Sequence, residues 1–233
     1  YSTTILSIIG GLSILLFVPN GPYRKSGQKI KLTTFLSGFK KQSFCAVSFG
    51  YFGHMWELYT FWAFVPVILS SYNNYYPGIN LNVSLLSFLI IASGAVACVL
   101  GGILSQYFGA KKIASLSLFL SCLCCVISPF FLFSHSYIQF IAFLFIWGLV
   151  VIADSPLFST LVAQNAPDES RGTSLTIVNC IGFSVTIISI QFINLLSDKI
   201  NAQYIYMVLA IGPILGLVAL IRNKITPANS TSQ

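Results

Sequence analysis

Three ionisable side chains lie inside two long apolar runs of the sequence. His54 and Glu57 fall in the run Phe44–Leu69, and Asp154 falls in the run Phe140–Val162. Insertion scales give a charged side chain at the centre of a membrane helix a cost of about 2.5–3.5 kcal/mol. Carboxyl and imidazole groups exchange protons and bind polar partners. We therefore expect these three residues to carry protons or to contact something polar.

The composition of the 233-residue chain predicts that its solvent is a lipid bilayer. Hydrophobic residues make up 56% and charged residues 7% of the chain, and the mean hydropathy is +0.85. A soluble domain averages about 25% charged residues, which it needs to cover its surface. The net charge of +7 does not indicate nucleic-acid binding, because the basic residues lie between apolar runs. We expect membrane lipids as partners and no nucleic acid.

Seven apolar runs are near the length of about 20 residues that a membrane-spanning helix needs. They are Thr4–Val18, Gln42–Ser70, Asn82–Tyr107, Lys112–Phe133, Tyr137–Asn165, Thr173–Leu196 and Gln203–Arg222. Pro66 and Pro156 lie late in two of the longer runs, where proline tends to kink a membrane helix. The sequence therefore predicts an all-α membrane protein with seven transmembrane helices.

The basic residues predict which side of the membrane each loop faces. When the loops are assigned to alternating sides, all of the 12 Lys and Arg except Lys199 fall on one side. Loops rich in Lys and Arg stay in the cytoplasm, so we expect the C-terminus to be cytoplasmic. The chain is thus expected to be a multi-pass protein of the cell membrane, with the cell inner membrane as its location.

Four segments are expected along the chain. Residues 1–19 form one transmembrane helix, 20–41 a basic cytoplasmic linker, 42–225 a six-helix bundle and 226–233 a polar C-terminal tail. The second three helices of the bundle enter the membrane from the face opposite to the first three, so we expect two inverted three-helix units. Because the chain opens without Met and enters an apolar run almost at once, we expect a fragment that lacks its N-terminal part.

The loop between the third and fourth predicted helices carries a motif of glycine and lysine. Its matching residues follow the pattern G-x-x-x-D-x-x-G-x-R/K-R/K and are Gly102, Gly109, Lys111 and Lys112. The loop resembles the signature of the major facilitator superfamily. Gln106 stands at the aspartate position of that pattern, so the charge relay that the full motif implies lacks its carboxylate.

Two further segments resemble the same superfamily. After the fifth predicted helix, Pro167, Arg171 and Gly172 fit the cytoplasmic-loop pattern P-x-x-x-R-G. The segment Phe49–Tyr59 is similar to the seventh helix of bacterial permeases that are labelled cyanate or nitrate/nitrite transporters. The order, spacing and membrane side of the three segments together support the resemblance over nearly the whole chain.

The resemblance implies a secondary active transporter that works by alternating access. Residues 1–19 then correspond to the sixth helix of a twelve-helix transporter, and its missing N-terminal six-helix half is an expected partner. In that family a cavity between two bundles is lined by the first helix of each three-helix unit, here Gln42–Ser70 and Tyr137–Asn165. A small-molecule or ion substrate is implied, with no cofactor and no enzymatic activity.

Helix geometry independently places the ionisable residues at similar depths. At 1.5 Å per residue, Glu57 lies about 22 Å and Asp154 about 16 Å from the cytoplasmic ends of their helices. We predict that both contact substrate or exchange protons, with Glu57 ranked first for coupling. His54 is either a third participant or the partner of Glu57 on the same helix face, and Asn179 is a further candidate. A buried carboxyl that only fixes packing remains an alternative.

Other classes of membrane protein fit the sequence less well than a transporter. A seven-helix receptor or sensor is the alternative, but no D-R-Y follows the third helix and the seventh contains no N-P-x-x-Y. Every lysine lies in a loop or at a helix end, which excludes a retinal Schiff base. No nucleophile elbow or paired motif indicates an intramembrane protease. Cys122, Cys124 and Cys125 have no matching ligand pair elsewhere, so we expect no metal site.

Overall fold

A computed structural model describes residues 2–19 and 38–222 of the chain. Most of the expected linker, residues 20–41, lies outside the described residues. The expected polar tail, residues 226–233, lies outside them as well. The four predicted segments therefore stay predictions.

The chain divides into two compact units. The first, Tyr1–Lys31, contains helix α1, Ser2–Phe17. Ser7 and Ser13 of α1 donate their hydroxyl hydrogens to main-chain oxygens four residues earlier, so both polar groups have partners within the helix. The second unit, Leu32–Gln233, contains all the other helices that follow.

Within its described residues, the second unit consists of seven α-helices and two short 3₁₀ helices, without a β-strand. The α-helices are α2 (Gln42–Tyr75), α3 (Val83–Phe108), α4 (Ala110–Phe131), α5 (Tyr137–Ile152), α6 (Ser155–Asn165), α7 (Arg171–Ser197) and α8 (Ile211–Arg222). The 3₁₀ helices Asp168–Ser170 and Ile205–Ala210 lead directly into α7 and α8. The predicted all-α class is confirmed.

Five helical stretches of the described chain are long and apolar enough to cross a membrane. They are Val83–Phe108, Ala110–Phe131, Tyr137–Asn165, Asp168–Ser197 and Ile205–Arg222. Helix α1 is shorter, with 16 residues. Helix α2 has 34 residues but is less apolar, because His54, Glu57 and several Tyr and Trp interrupt its hydrophobic residues. A multi-pass membrane protein is supported, and the count of seven spans stays a prediction.

Two predicted spans differ in detail from the observed helices. Helix α2 continues through Pro66 and past its predicted end at Ser70. The fifth predicted span is not one kinked helix but two helices, α5 and α6, with Pro156 in the first turn of α6. Proline suits this position because the first turn of a helix does not use its N–H groups for internal bonds. The proline therefore marks a new helix start within the span.

Helix α2 is the central element of the second unit and buries residues around most of its circumference. It packs closely against α8 where glycines of the two helices meet. A Cβ atom added to Gly53 would overlap the main-chain oxygen of Gly212, and one added to Gly212 would lie 2.6 Å from the main-chain oxygen of Gly53. The two backbones therefore touch directly, as small residues allow in membrane helices.

The last turns of α2 are held by the loop between α4 and α5. The Tyr72 hydroxyl donates to the main-chain oxygen of Ser134 at 2.8 Å, and the Tyr76 hydroxyl donates to that of Phe133 at 2.9 Å. The Tyr72 ring also stacks on Phe140 of α5 with 4.0 Å between ring centroids. These contacts fix one end of the helix that carries two of the ionisable residues.

Candidate functional site

The three ionisable residues lie in the interior of the second unit. The side chains of His54, Glu57 and Asp154 are each only 1% exposed. Helix α2 supplies the first two, and the break between α5 and α6 supplies Asp154, the N-cap residue of α6. The Asp154 side chain accepts no capping hydrogen bond from the helix, so its carboxylate is available to other partners.

His54 and Asp154 form a buried pair between α2 and the α5–α6 break. Nδ1 of His54 lies 2.9 Å from Oδ1 of Asp154. Nε2 of His54 and both carboxylate oxygens of Asp154 have no hydrogen bond of standard geometry among the described residues, and Oδ1 is held only by its close approach to Nδ1 of His54. The rings of Tyr51 and Phe158 flank the imidazole, with centroids 6.2 and 5.8 Å from it. Nε2 of His54 and Oδ2 of Asp154 are therefore able to bind a further polar group in largely apolar surroundings.

Glu57 occupies a separate pocket formed with α4 and α5. The Ser121 hydroxyl donates to Oε2 at 2.8 Å. The Trp147 indole N–H and the Cys125 thiol both donate to Oε1, at 2.8 and 3.1 Å. No Lys or Arg pairs with Glu57 in the described part of the chain. Three neutral donors therefore replace water around this carboxyl, and they tie α2 to both neighbouring helices.

The hypothesis that His54 is the partner of Glu57 is wrong. His54 contacts Asp154, whereas Glu57 points to α4 and α5. Residues three positions apart on a helix differ by about 60° around its axis. That angle is enough for two buried side chains to meet different neighbours, so the ionisable residues form two sites on α2.

The break between α5 and α6 is accommodated by small residues of α3. Pro156 has no N–H to donate to the main-chain oxygen of Ile152, as a continuous helix would require. The Cys98 thiol donates to that oxygen instead, with its sulfur 3.6 Å away. A Cβ atom on Gly101 would lie 2.7 Å from the main-chain oxygen of Ala153, so this close approach requires glycine. Helix α3 thereby stabilises the interrupted backbone.

Hydroxyl groups also connect α2 to α7. Thr186 donates to the main-chain oxygen of Met55 at 3.0 Å. Ser189 donates to that of Trp56 at 2.7 Å, and Thr60 donates to the Ser189 hydroxyl at 2.9 Å. These bonds join α7 to the part of α2 that carries His54 and Glu57.

Thr186 and Ser189 were not among the residues predicted from the sequence. The signal that could have found them is the spacing of Gly182, Thr186 and Ser189, which places small residues on one face of α7. The predicted residue of this helix is Asn179, whose side chain is partly exposed on α7. The structure does not bring Asn179 into the hydrogen-bonded contacts of the three ionisable residues.

The first group of loop-motif residues lies at the junction of α3 and α4. Gly109 alone separates the two helices, and its φ of +90° is in the region that favours glycine. Its N–H donates to the main-chain oxygen of Ser105 and so closes α3. Gly102 lies within α3 with open space beside its Cα, and Lys111 and Lys112 lie in the first turn of α4.

The second group lies where α7 begins. Arg171 is the first residue of α7 and Gly172 the second. The Arg171 guanidinium forms an ion pair with Asp168 of the preceding 3₁₀ helix. Because both side chains are exposed, this pair contributes only about 0–1 kcal/mol to stability. Its effect is local, at the junction between the short 3₁₀ helix and α7.

The described residues contain no group of three His, Cys, Asp or Glu side chains suited to a metal ion. Cys122, Cys124 and Cys125 are buried free thiols of α4. The Cys125 thiol donates a hydrogen bond to Glu57. The two carboxyls and the imidazole of this part of the molecule are groups that exchange protons and form hydrogen bonds.

A family model described as Major Facilitator Superfamily matches residues 1–190 of the chain and, in a second alignment, residues 47–232. The two matched ranges together cover nearly the whole sequence. No curated protein matches the chain.

Proposed function

We propose, from the premise that this chain belongs to the major facilitator superfamily, that it moves a small solute by alternating access and couples this movement to protons. Membership supports a secondary transporter, a class of protein that is in general not enzymatic. Five apolar helices support a protein that crosses the membrane several times. The receptor alternative gains no support from these findings. The observation that carries the proton coupling is the buried His54–Asp154 pair.

The pair has the features of a site that binds and releases a proton. Ionisable residues inside a membrane are costly and are functional candidates by default. A carboxylate beside a neutral imidazole attracts it weakly, whereas a carboxylate beside an imidazolium attracts it strongly. Proton uptake by His54 would therefore tighten its contact with Asp154. The free atoms Nε2 and Oδ2 are where a proton or a polar group of the solute can bind.

The break beside Asp154 supports a role in movement. Interrupted membrane helices form binding sites in several transporter folds, because their free ends carry partial charges. The N-terminus of α6, an 11-residue helix, carries partial positive charge next to the Asp154 carboxylate. Since α5 and α6 are separate helices, a change in the His54–Asp154 contact can alter the angle between them without breaking a continuous helix.

We further propose the arrangement expected from the sequence. In this arrangement α1 and α2 cross the membrane as well as the five apolar stretches, which makes seven spans. The last six spans form two inverted three-helix units within residues 42–225. A second six-helix half completes the cavity, residues 20–41 form a cytoplasmic linker, and the C-terminus with tail 226–233 is cytoplasmic at the cell membrane. The distribution of Lys and Arg and the counting of helices support this arrangement.

Several residues have proposed roles around the pair. Glu57 is proposed to bind a proton, and Asn179 to contact the solute from α7. Residues proposed to act in the conformational change are Gly102, Gly109, Lys111, Lys112, Arg171 and Gly172. The likeness to cyanate and nitrate/nitrite permeases stays a prediction. Lys and Arg of the described residues lie at helix ends or in loops, so this wall favours a neutral or cationic solute.

The proposed coupling can be tested in vesicles that contain the full-length protein and an internal pH-sensitive dye. A panel of neutral, cationic and anionic small solutes is added outside, and the proton movement that each solute causes is recorded. We expect at least one solute to drive proton movement with the wild type. Asp154→Asn and His54→Gln should abolish it, because an amide side chain cannot bind and release a proton as a carboxyl or an imidazole can.

Asp198→Asn is the matched control, since it makes the same change at an exposed carboxyl that follows α7. This variant should behave as the wild type. Unchanged solute-driven proton movement in both Asp154→Asn and His54→Gln would refute the coupling role of the pair.

A further inference from the structure

The hydroxyl of Ser121 lies within hydrogen-bond distance of two acceptors. Its oxygen is 2.8 Å from Oε2 of Glu57 and 3.1 Å from the main-chain oxygen of Leu118. A serine hydroxyl has one hydrogen and two lone pairs. It can therefore donate to only one of the two acceptors at a time, and its oxygen can accept a bond as well.

The two oxygens of Glu57 have different surroundings. Among the described residues, Oε1 accepts from the Trp147 N–H and the Cys125 thiol, whereas Oε2 accepts only from Ser121. An indole N–H can donate but cannot accept. A proton that joins Glu57 is therefore best accommodated on Oε2, where the facing group is able to change from donor to acceptor.

We propose that Ser121 is a positioning residue that lets Glu57 hold a proton reversibly by reversing the direction of their hydrogen bond. With Glu57 ionised, Ser121 donates to Oε2. With Oε2 protonated, Glu57 donates to the Ser121 oxygen, and Ser121 turns its hydrogen to the main-chain oxygen of Leu118. One proton joins a lone pair of Oε2, and no bond between heavy atoms changes. This inference rests on the proposed proton-coupled transport and adds a mechanism for Glu57.

The arrangement leaves no buried polar group of the pocket without a partner in either state. An unpaired buried donor or acceptor costs about 1–3 kcal/mol, which would otherwise hold Glu57 in one state. Trp147 and Cys125 keep their bonds to Oε1 throughout. The pocket therefore accommodates both forms of the carboxyl with a single hydroxyl rotation.

Other titratable groups lie near enough to Glu57 to interact with its charge. They are Cys122, Cys124 and Cys125 of α4 and Asp154 at the helix break, and His54 of α2 is in contact with Asp154. An ionised Asp154 disfavours a second negative charge nearby. Proton binding at the His54–Asp154 pair should therefore influence proton binding at Glu57, which links the two sites on α2.

Infrared difference spectroscopy of the protein in lipid vesicles tests the role of Ser121. The carbonyl band of a protonated carboxyl is followed as the pH is varied, and Glu57→Gln identifies the part of the signal that belongs to Glu57. Ser121→Ala should move the midpoint of this band to higher pH by about one unit, because a hydrogen bond to a carboxylate is about twice as strong as a neutral one.

Two further variants separate the effect of the Ser121 hydroxyl from the effect of side-chain size. Ser121→Thr keeps the hydroxyl and should keep the wild-type midpoint. Ser121→Cys keeps a weaker donor of similar size and should give a smaller shift in the same direction, which provides a test even if Ser121→Ala does not fold. Helix content measured by circular dichroism confirms that each variant is folded.

Three results would overturn the proposal. In the first, the wild-type spectrum contains no pH-dependent carbonyl band that disappears in Glu57→Gln. In the second, the midpoint is unchanged in the folded Ser121→Ala and Ser121→Cys variants. In the third, Ser121→Thr shifts the midpoint as much as Ser121→Ala does. The proposed transport function fails separately. If no solute drives proton movement but the carbonyl band still depends on Ser121, only the proposed transport coupling is contradicted. If a solute drives proton movement but the band does not depend on Ser121, only the role of Ser121 is contradicted.

Discussion

The carboxyl of Glu57 is an acceptor on which buried donors of two other helices depend. Trp147 is fully buried, and its indole N–H donates to Oε1 of Glu57. Ser121 can turn to another acceptor, but an indole has a single fixed N–H direction. Glu57 therefore contributes to stability as well as to the proposed chemistry, and its substitutions must be chosen to separate the two effects.

Replacement of Glu57 by leucine is predicted to destabilise the protein more than replacement by glutamine. Glutamine retains an oxygen that can accept from Trp147, whereas leucine leaves the N–H unpaired at a cost of about 1–3 kcal/mol. Thermal unfolding in detergent micelles measures the difference. Equal stability of Glu57→Leu and Glu57→Gln would show that Trp147 does not depend on this acceptor.

The sequence predicted which residues would be buried and ionisable, but not their partners. An ionisable residue in an apolar run is visible from composition alone, as for His54, Glu57 and Asp154. Which donor meets which acceptor depends on how each helix is rotated about its axis. Ser121 had no distinguishing pattern, because a serine in a membrane helix usually bonds to its own backbone.

Contact between α2 and α8 depends on the absence of side chains at their crossing. Gly53 and Gly212 meet backbone to backbone, and Gly50 and Gly216 extend this contact along the two helices. Close approach of this kind strengthens dispersion contacts between membrane helices. The position of α8 therefore follows from where the glycines lie.

Gly53→Ala is predicted to destabilise the protein by about 1–3 kcal/mol, the usual range for overpacking in a tight interior. The added methyl group would overlap a main-chain oxygen of α8, which cannot turn away as a side chain can. Gly102→Ala is the matched control, because it adds a methyl group to a helix where the structure leaves open space. Thermal unfolding of both variants checks the prediction, and similar losses of stability would contradict it.

The elements were predictable to different degrees for physical reasons. Long apolar runs gave the approximate positions of α3, α4 and α7. The interruption of the fifth span was not predicted, because a proline in a membrane helix is compatible with either a kink or a break. The outcome depends on whether neighbours such as Cys98 and Gly101 can stabilise the freed backbone. That information lies in the packing of α3 and not in the run itself.

At the scale of the whole molecule, the distribution of Lys and Arg gives a prediction about sidedness. His135 is exposed in the loop between α4 and α5, and Glu169 is exposed in the short 3₁₀ helix before α7. The membrane side that carries all Lys and Arg except Lys199 is expected to be cytoplasmic, so we expect Glu169 inside and His135 outside. A membrane-impermeant thiol reagent added to intact cells should therefore label His135→Cys and not Glu169→Cys.

Permeabilised cells provide the comparison for this experiment, since Glu169→Cys should become reactive in them. The unsubstituted chain shows the background from its own six cysteines. Labelling of Glu169→Cys in intact cells, with His135→Cys unreactive, would reverse the predicted orientation.

The contacts between α2 and α7 have a consequence for how these helices can move. Thr186 and Ser189 donate to main-chain oxygens of α2, and Gly182 of the same face adds no side chain. On one face of a helix, equivalent main-chain oxygens recur about once per turn, or about every 5.4 Å, so a shift of α7 along α2 by one turn would bring its hydroxyls to equivalent acceptors. The two bonds to main-chain oxygens would be exchanged for others of the same kind by such a shift, whereas the bond from Thr60 to Ser189 would break, so this one pair of side chains sets the lengthwise alignment of the two helices.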